Sequence, residues 1–188
     1  MKIYFFPAIK ITLLTLILFG VIYPLFIVGF AKLIGPNGGK GQTIEVNGKI
    51  IGFELIGQSF TSAKYFNSRP SAVSYNAAAT GGSNKGSSNP EYLKTVEDRI
   101  TAFLAKNPTI KKEQIPVDLI TASGSGLDPH ISVQAAMIQV GRIARVRSLD
   151  TKVVEDLVNK CKEGPVLGIF GVSRVHVLQL NIALDNLK

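Results

Sequence analysis

Between Ile11 and Ala31 the chain reads ITLLTLILFGVIYPLFIVGFA, without a single charged residue. A helix of about 20 apolar residues spans the roughly 30 Å hydrocarbon core of a bilayer. The run is therefore expected to cross a membrane, which divides the 188 residues into a tail over 1–10, a transmembrane helix over 11–31 and the remainder. A cleaved signal peptide would have an apolar region of about 7–15 residues and a small-x-small cleavage site. Here the run is longer, and Phe26 to Ile34 offers no such site. Gly20 and Pro24 lie inside it, where a proline can kink the helix and leave a carbonyl to be satisfied by a neighbour. Such a helix suits packing against other membrane helices, although ordinary tolerance of Gly and Pro in lipid explains the two residues equally well.

Lys2 and Lys10 precede the span and Lys32 follows it. Because positive flanks count mainly when short, and long domains translocate largely regardless of charge, the tail is read as cytoplasmic and the domain as extracytoplasmic. One cysteine, Cys161, excludes an internal disulfide, so the domain must hold by packing. The net charge of +8 is spread along the chain, and GRIARVR at 141–147 is its one basic cluster. Nucleic-acid binding would need a basic face with groove-reading or stacking residues, and is not expected.

A Gly- and Pro-rich linker over 32–42, carrying IGPNGGKGQ, leads out of the membrane. Residues 43–188 form the outer domain. TIEVNGKIIGFELIG follows, with Asn47-Gly48 between two apolar-alternating runs, which reads as a hairpin. Gln58 to Pro90 is long and poor in aliphatics, yet it carries Tyr65, Phe66 and Tyr75. Long loops of this kind are functional or disordered, and the aromatics favour order gained by packing. Asn89-Pro90 starts a helix bearing Leu93, Val96, Ile100, Phe103 and Leu104, which ends at Asn107-Pro108. A second helix after Ser132 has the stripe Val133, Ala136, Met137, Val140 and Ala144. A third runs from about Leu149 to Cys161 with Val153, Val154, Leu157, Val158 and Cys161 inward. VLGIFG and RVHVLQL read as short strand pieces, and NIALDNL has helical spacing. The expected fold class is α+β, a mixed domain on one amino-terminal membrane helix.

LITASGSGLDPHIS, Leu119 to Ser132, gathers Ser123, Ser125, Asp128 and His130 within eight residues. A catalytic triad needs three groups brought together in space with an oxyanion hole, and adjacency in sequence does not supply that. The G-x-S-x-G elbow is not matched around Ser125. A loop of Gly and Ser amides before a helix could cradle a phosphate. Gly81 to Gly86 has P-loop glycine spacing, but Ser87-Ser88 stands where Lys and Ser/Thr are required. His130, His176 and Cys161 lie far apart without paired-ligand spacing, so no metal site is expected. The reading that demands least is a turn for shape and docking. Gly124 and Gly126 would permit positive φ, Asp128-Pro129 an extended entry and Ser132 a helix cap.

LIGQSF, YFNSRPSAVSYN, GGSNKGSSNP, PVDLITASGSGLDPHIS and LQLNIALD, in that order, resemble the KdpC family, the C subunit of the potassium-importing Kdp ATPase complex. The resemblance runs from Ile11 to Asp185, with small departures at Lys85, Val133 and Gly141. It implies a non-enzymatic accessory subunit assembled with a channel-like potassium-translocating subunit (KdpA), a P-type ATPase subunit (KdpB) that carries the reaction, and a very small subunit (KdpF). The chain lacks the D-K-T-G phosphorylation sequence of such an ATPase. The resemblance further implies a role in assembly, and as a catalytic chaperone raising the ATPase subunit's affinity for ATP, with a glutamine after SGLD involved. Gln134 and Gln139 are the matching candidates, beside Ser123, Gly124, Ser125, Gly126, Asp128 and His130. Arg69, Pro70, Ser71, Gly81, Gly82, Ser83 and Asn84 are the corresponding docking loops. No tightly bound cofactor is implied, ATP entering only with the ATPase subunit, and potassium is the transported ion. An extracytoplasmic domain cannot touch cytosolic ATP, so either the topology is reversed or the effect passes through the complex. The alternative is a membrane-anchored enzyme or solute-binding domain using the Ser/Asp/His loop.

Overall fold

The computed structural model describes residues 2–187, in two compact units that divide between Glu54 and Leu55. The first unit opens with helix, α1 (Lys2–Ile17), a five-residue π-helical stretch (Leu18–Ile22) and α2 (Tyr23–Ile34). Ile3–Ile34 is long and apolar enough to cross a membrane. At 1.5 Å per residue its 32 residues reach about 48 Å, more than the hydrocarbon core requires. Helix thus extends through most of the segment expected as a tail. Pro24 has no N–H to offer the Gly20 carbonyl one turn back. The backbone widens just before it, the Tyr23 N–H donating to Leu18 O in the i→i−5 pattern.

The hairpin forms as expected, with β1 (Thr43–Val46) antiparallel to β2 (Lys49–Phe53). Asn47 (φ 52°) and Gly48 (φ 75°) both take the left-handed conformation that a two-residue primed turn requires. The register shifts between Ile44 and Glu45, where Ile51 is the extra residue of a bulge.

In the second unit the core gathers α3 (Pro90–Lys106), β3 (His130–Ser132), α4 (Val133–Met137), α5 (Val140–Arg147), α6 (Thr151–Lys160), β4 (Lys162–Glu163), β5 (Arg174–His176) and α7 (Val177–Asp185). β5 is the centre of an antiparallel sheet ordered β3-β5-β4. α3 starts as its sequence indicates, the Asn89 side chain accepting from Tyr92 N and Pro90 standing first in the helix. Ile100 and Phe103 are buried from its apolar face. α6 buries Val154, Leu157 and Val158, while Val153 is exposed and Cys161 half-buried.

Three expectations are corrected. The helix after Ser132 is broken at Ile138-Gln139 into α4 and α5, so its buried face is Ala135, Ala136, Val140, Ile143 and Ala144. RVHVLQL is strand only to His176, whose imidazole caps α7 by accepting from Gln179 N at 3.3 Å. VLGIFG is no strand; a single bridge between Val166 and Phe170 closes it into an exposed turn.

Residues 58–89 contain no regular element, but they are tied into the core, and Phe66 is fully buried there. Truncating a buried phenylalanine removes transfer energy and leaves a cavity. Phe66→Ala should lower unfolding stability by about 3–5 kcal/mol. Denaturant titration of the full chain in mild detergent measures it, and a loss below about 1 kcal/mol would show that the loop is not part of the core.

Candidate functional site

The irregular chain around Phe66 is held by side-chain amides from two helices. Asn181, buried on α7, accepts from Phe66 N at 2.8 Å and donates to Phe66 O at 3.0 Å. Gln139, buried at the α4–α5 break, accepts from Asn67 N at 2.8 Å and its Nε2 lies 3.4 Å from Asn67 O. Two successive residues are thus paired as a neighbouring strand would pair them, which satisfies backbone groups that no sheet serves. Gln139 also donates to Ala135 O at 3.0 Å.

Arg142 lies beneath, also buried. Its guanidinium donates to Asn107 Oδ1 (3.0 Å), Tyr65 O (3.1 Å), Gln139 Oε1 (2.8 Å) and Ala63 O. Burial lowers its pKa to about 10, which leaves it charged at neutral pH. At the surface Arg147 donates to Asp185 Oδ1 at 2.6 Å and Lys64 O at 2.8 Å, and stacks 5.0 Å from the Tyr65 ring centre. Tyr65 OH donates to the other Asp185 oxygen at 2.8 Å.

Further along, the motif loops meet one another. Gly81 N donates to Ser125 O at 2.9 Å. Gly126 (φ 68°) sits so close that a Cβ there would lie 2.7 Å from Gly81 O and 2.9 Å from Val73, so its glycine is required twice over. Gly124 does not use positive φ, contrary to expectation. It faces Gly82, at which a Cβ would lie 3.4 Å from Gly124 O. Ser123 Oγ accepts from Gly126 N (3.0 Å) and Ser125 Oγ from Leu127 N (3.1 Å), so both hydroxyls are turned onto the loop itself. Gly57 N donates to Leu127 O at 2.7 Å, bringing LIGQSF to the same place. Ser71 Oγ accepts from Tyr75 N at 2.9 Å, and Tyr75 OH donates to Arg69 O. Ser83 lies with Ser71 in one cleft beside α3 and Pro70 in another with Phe60, and Asn84 takes the left-handed conformation (φ 50°).

Asp128, His130 and Arg69 belong to a chain of charge along one edge. Arg69 Nη1 donates to Asp128 Oδ2 at 3.0 Å, and His130 N donates to Asp128 Oδ1 at 3.0 Å. The His130 ring stands between two carboxylates, its Nδ1 3.5 Å from Asp128 and its Nε2 3.6 Å from Glu163. Glu163 accepts from Arg174 Nε at 2.9 Å. Burial alone would raise the Asp128 pKa, but hydrogen bonds from the His130 side chain and backbone, with the Arg69 charge, outweigh it and hold the carboxyl below its usual value. A cleft of about 440 Å³ opens here, lined by Arg69, Asp118, Asp128, His130, Ser132 and Arg174 among others. Asp118, absent from the sequence reading, accepts from Ser132 N (2.7 Å) and Ser132 Oγ (3.1 Å), while Ser132 caps α4 by accepting from Ala135 N at 3.0 Å. No local pattern joins Asp118 to Ser132 across 14 residues.

This arrangement lacks the geometry of a serine hydrolase. The imidazole nitrogens face Asp128 and Glu163, and the serine hydroxyls serve backbone amides. Among the described residues no group of three or more His, Cys, Asp and Glu is placed to hold a metal ion. Gln134 is exposed on α4, five residues before the buried Gln139.

The family model "KdpC: K+-transporting ATPase, c chain" matches residues 5–186. The chain belongs to the KdpC family. Curated relatives named potassium-transporting ATPase KdpC subunit include one from Flavobacterium johnsoniae, 56% identical over 183 residues (97% of this chain, 98% of the relative). One from Caldanaerobacter subterraneus subsp. tengcongensis is 50% identical over 177 residues (94% and 92%), and one from Bacteroides fragilis 47% over 183 residues (96% of each). In this KdpC chain the five sequence motifs are thus pieces of one folded junction: two amide clasps, a glycine contact and an ionic edge.

Asp128 tests that edge. Because its folded pKa lies below the ordinary 3.8, it contributes stability that is complete above that pH and lost as pH falls through the folded value. Asp128→Asn should be less stable than the parent at pH 7, and the difference should shrink steadily below about pH 4. Thermal melting of both full chains across acid pH measures this. A difference independent of pH would remove the ionic account.

Proposed function

We propose that this chain serves a potassium-transporting ATPase complex as a folded, non-catalytic subunit on a single membrane anchor. The reaction belongs to the P-type ATPase subunit, and the other partners are the potassium-translocating subunit and the very small one. Its domain stabilises the assembly and acts on the ATPase subunit's affinity for ATP through the complex, without holding nucleotide itself. The observation that carries this reading is that the Ser123–Asp128 loop turns two of its amides, Gly126 N and Leu127 N, onto its own Ser123 and Ser125 hydroxyls. A phosphate cradle needs such amides free. Gln139 is likewise engaged in holding Asn67 and Arg142, so its substitution acts through folding; Gln134, exposed, is the glutamine positioned to meet a neighbour.

In this proposal the amino terminus is cytoplasmic and the domain extracytoplasmic, so coupling to a cytosolic nucleotide site passes between distant parts of the complex. A membrane-impermeant thiol reagent should label Cys161 in intact cells, slowly, because burial raises its thiol pKa. Labelling that requires lysis, with denatured controls reactive, would reverse the orientation.

Pull-down of the chain tagged after Lys188, from potassium-starved cells in mild detergent, should recover a P-type ATPase and a large polytopic membrane protein in fixed ratio. The purified full chain should show no ATP binding by calorimetry at concentrations that saturate the complex. Recovery of the chain alone would overturn the assembly, and tight binding by the chain would overturn the indirect action.

A further inference from the structure

Between β4 and β5 the chain makes a loop, GPVLGIFGVS at 164–173, that has no ionisable side chain. Val166 (64% exposed), Leu167 (84%), Ile169 (77%), Phe170 (63%) and Val172 (80%) all face outward. Scattered exposed apolar residues are ordinary, but five within seven positions of one closed turn form a patch. The turn is held by backbone: Val166 and Phe170 exchange hydrogen bonds of 2.8 and 2.9 Å, and Gly168 N donates to Pro165 O at 3.0 Å. Leu167 (φ 54°), Gly168 (φ 76°) and Gly171 (φ 88°) give the tip its reversal. The apolar side chains are therefore presented by a made structure, not by a segment lacking one.

We propose that this loop docks the domain on a phospholipid bilayer, its apolar tip entering the interface and the basic residues at its foot meeting lipid phosphates. Chemistry chooses lipid over a protein partner. The five outward side chains are aliphatic or phenylalanine, whereas protein hot spots favour Trp, Tyr and Arg and need a matching pocket. A convex apolar tip suits a deformable phase, which it can enter to a depth of roughly 5–10 Å. At the foot stand Lys160 and Lys162, with Arg174 paired to the single acid Glu163, a net positive balance that suits the phosphates of anionic lipids. Val172 and Ser173 border the same cleft as Arg69 and Arg174, and Arg69 Nε is buried there without an acceptor among the described residues. The cleft's two aspartates are already engaged, Asp118 by Ser132 and Asp128 by Arg69 and His130 N. The membrane helix of the same chain keeps a bilayer within reach.

Replacing Phe170 by photoreactive benzoylphenylalanine in the full chain, expressed in its native membranes and irradiated there, tests this. The loop is exposed, so the substitution leaves the core intact; the same residue at Leu93, exposed on α3, is the control. Mass spectrometry of the recovered chain should show phospholipid adducts at Phe170 in several-fold excess over Leu93. A protein adduct in place of lipid, no adduct, or equal adducts at both positions would each overturn the proposal. In a Lys162→Gln/Arg174→Gln background the lipid adduct should fall several-fold, and an undiminished adduct would overturn the electrostatic part.

Discussion

The second unit is organised around a buried cation, Arg142, that no carboxylate among the described residues neutralises. Arg142 meets the side-chain oxygens of Asn107 and Gln139 and the carbonyls of residues 63 and 65. A buried charge is costly unless its donors are matched by well-placed acceptors. The four acceptors come from three parts of the chain: the end of α3, the break between α4 and α5, and the irregular segment before Phe66. The charge can be tolerated only when all three are in place. Breaking one contact would strand a cation, so the arrangement makes folding of these segments mutually dependent.

That dependence explains why so much of the domain lacks regular secondary structure yet is ordered. Asn181 and Gln139 read the backbone of Phe66 and Asn67 as adjoining strands would, and Phe66 fills the core between them. Beyond this point the chain is tied by Arg69 to Asp128, and by Gly81 to Ser125. Motifs separated by up to 120 residues become a single continuous junction, with a small sheet behind it.

What could be read from the sequence was what depends on neighbours in the chain. The Asn47-Gly48 turn and the Asn89-Pro90 helix start are local signals, and both stand where expected. The long apolar helix is legible because a run without charges and of this length suits a bilayer core. The break at Gln139 was not, since its cause is the need to turn a glutamine amide toward Asn67, 72 positions away. The end of β5 at His176 was hidden too, because Val175 and Val177 suit a strand equally well on either side of it. In the motif loop, Gly126 and the Ser132 cap followed from residue type. The partners of Asp128 and the roles of Asp118, Glu163 and Arg174 came only with tertiary structure. GRIARVR, read as a basic cluster, divides into the inward Arg142 and the outward Arg145 and Arg147, a distinction carried by helical phase and burial rather than by charge.

The wide turn before Pro24 changes what the long apolar amino-terminal helix can present as a recognition surface. Each residue advances an α-helix by about 100°, so a turn holding one extra residue rotates everything after it by about that amount relative to a straight rod. Side chains of residues 3–17 that would share a stripe with those of Tyr23–Ile34 are thereby turned onto different sides. Placed across a bilayer, such a helix would offer two separately oriented faces at two depths, and a contact motif sought at constant helical spacing across Leu18–Ile22 would be missed.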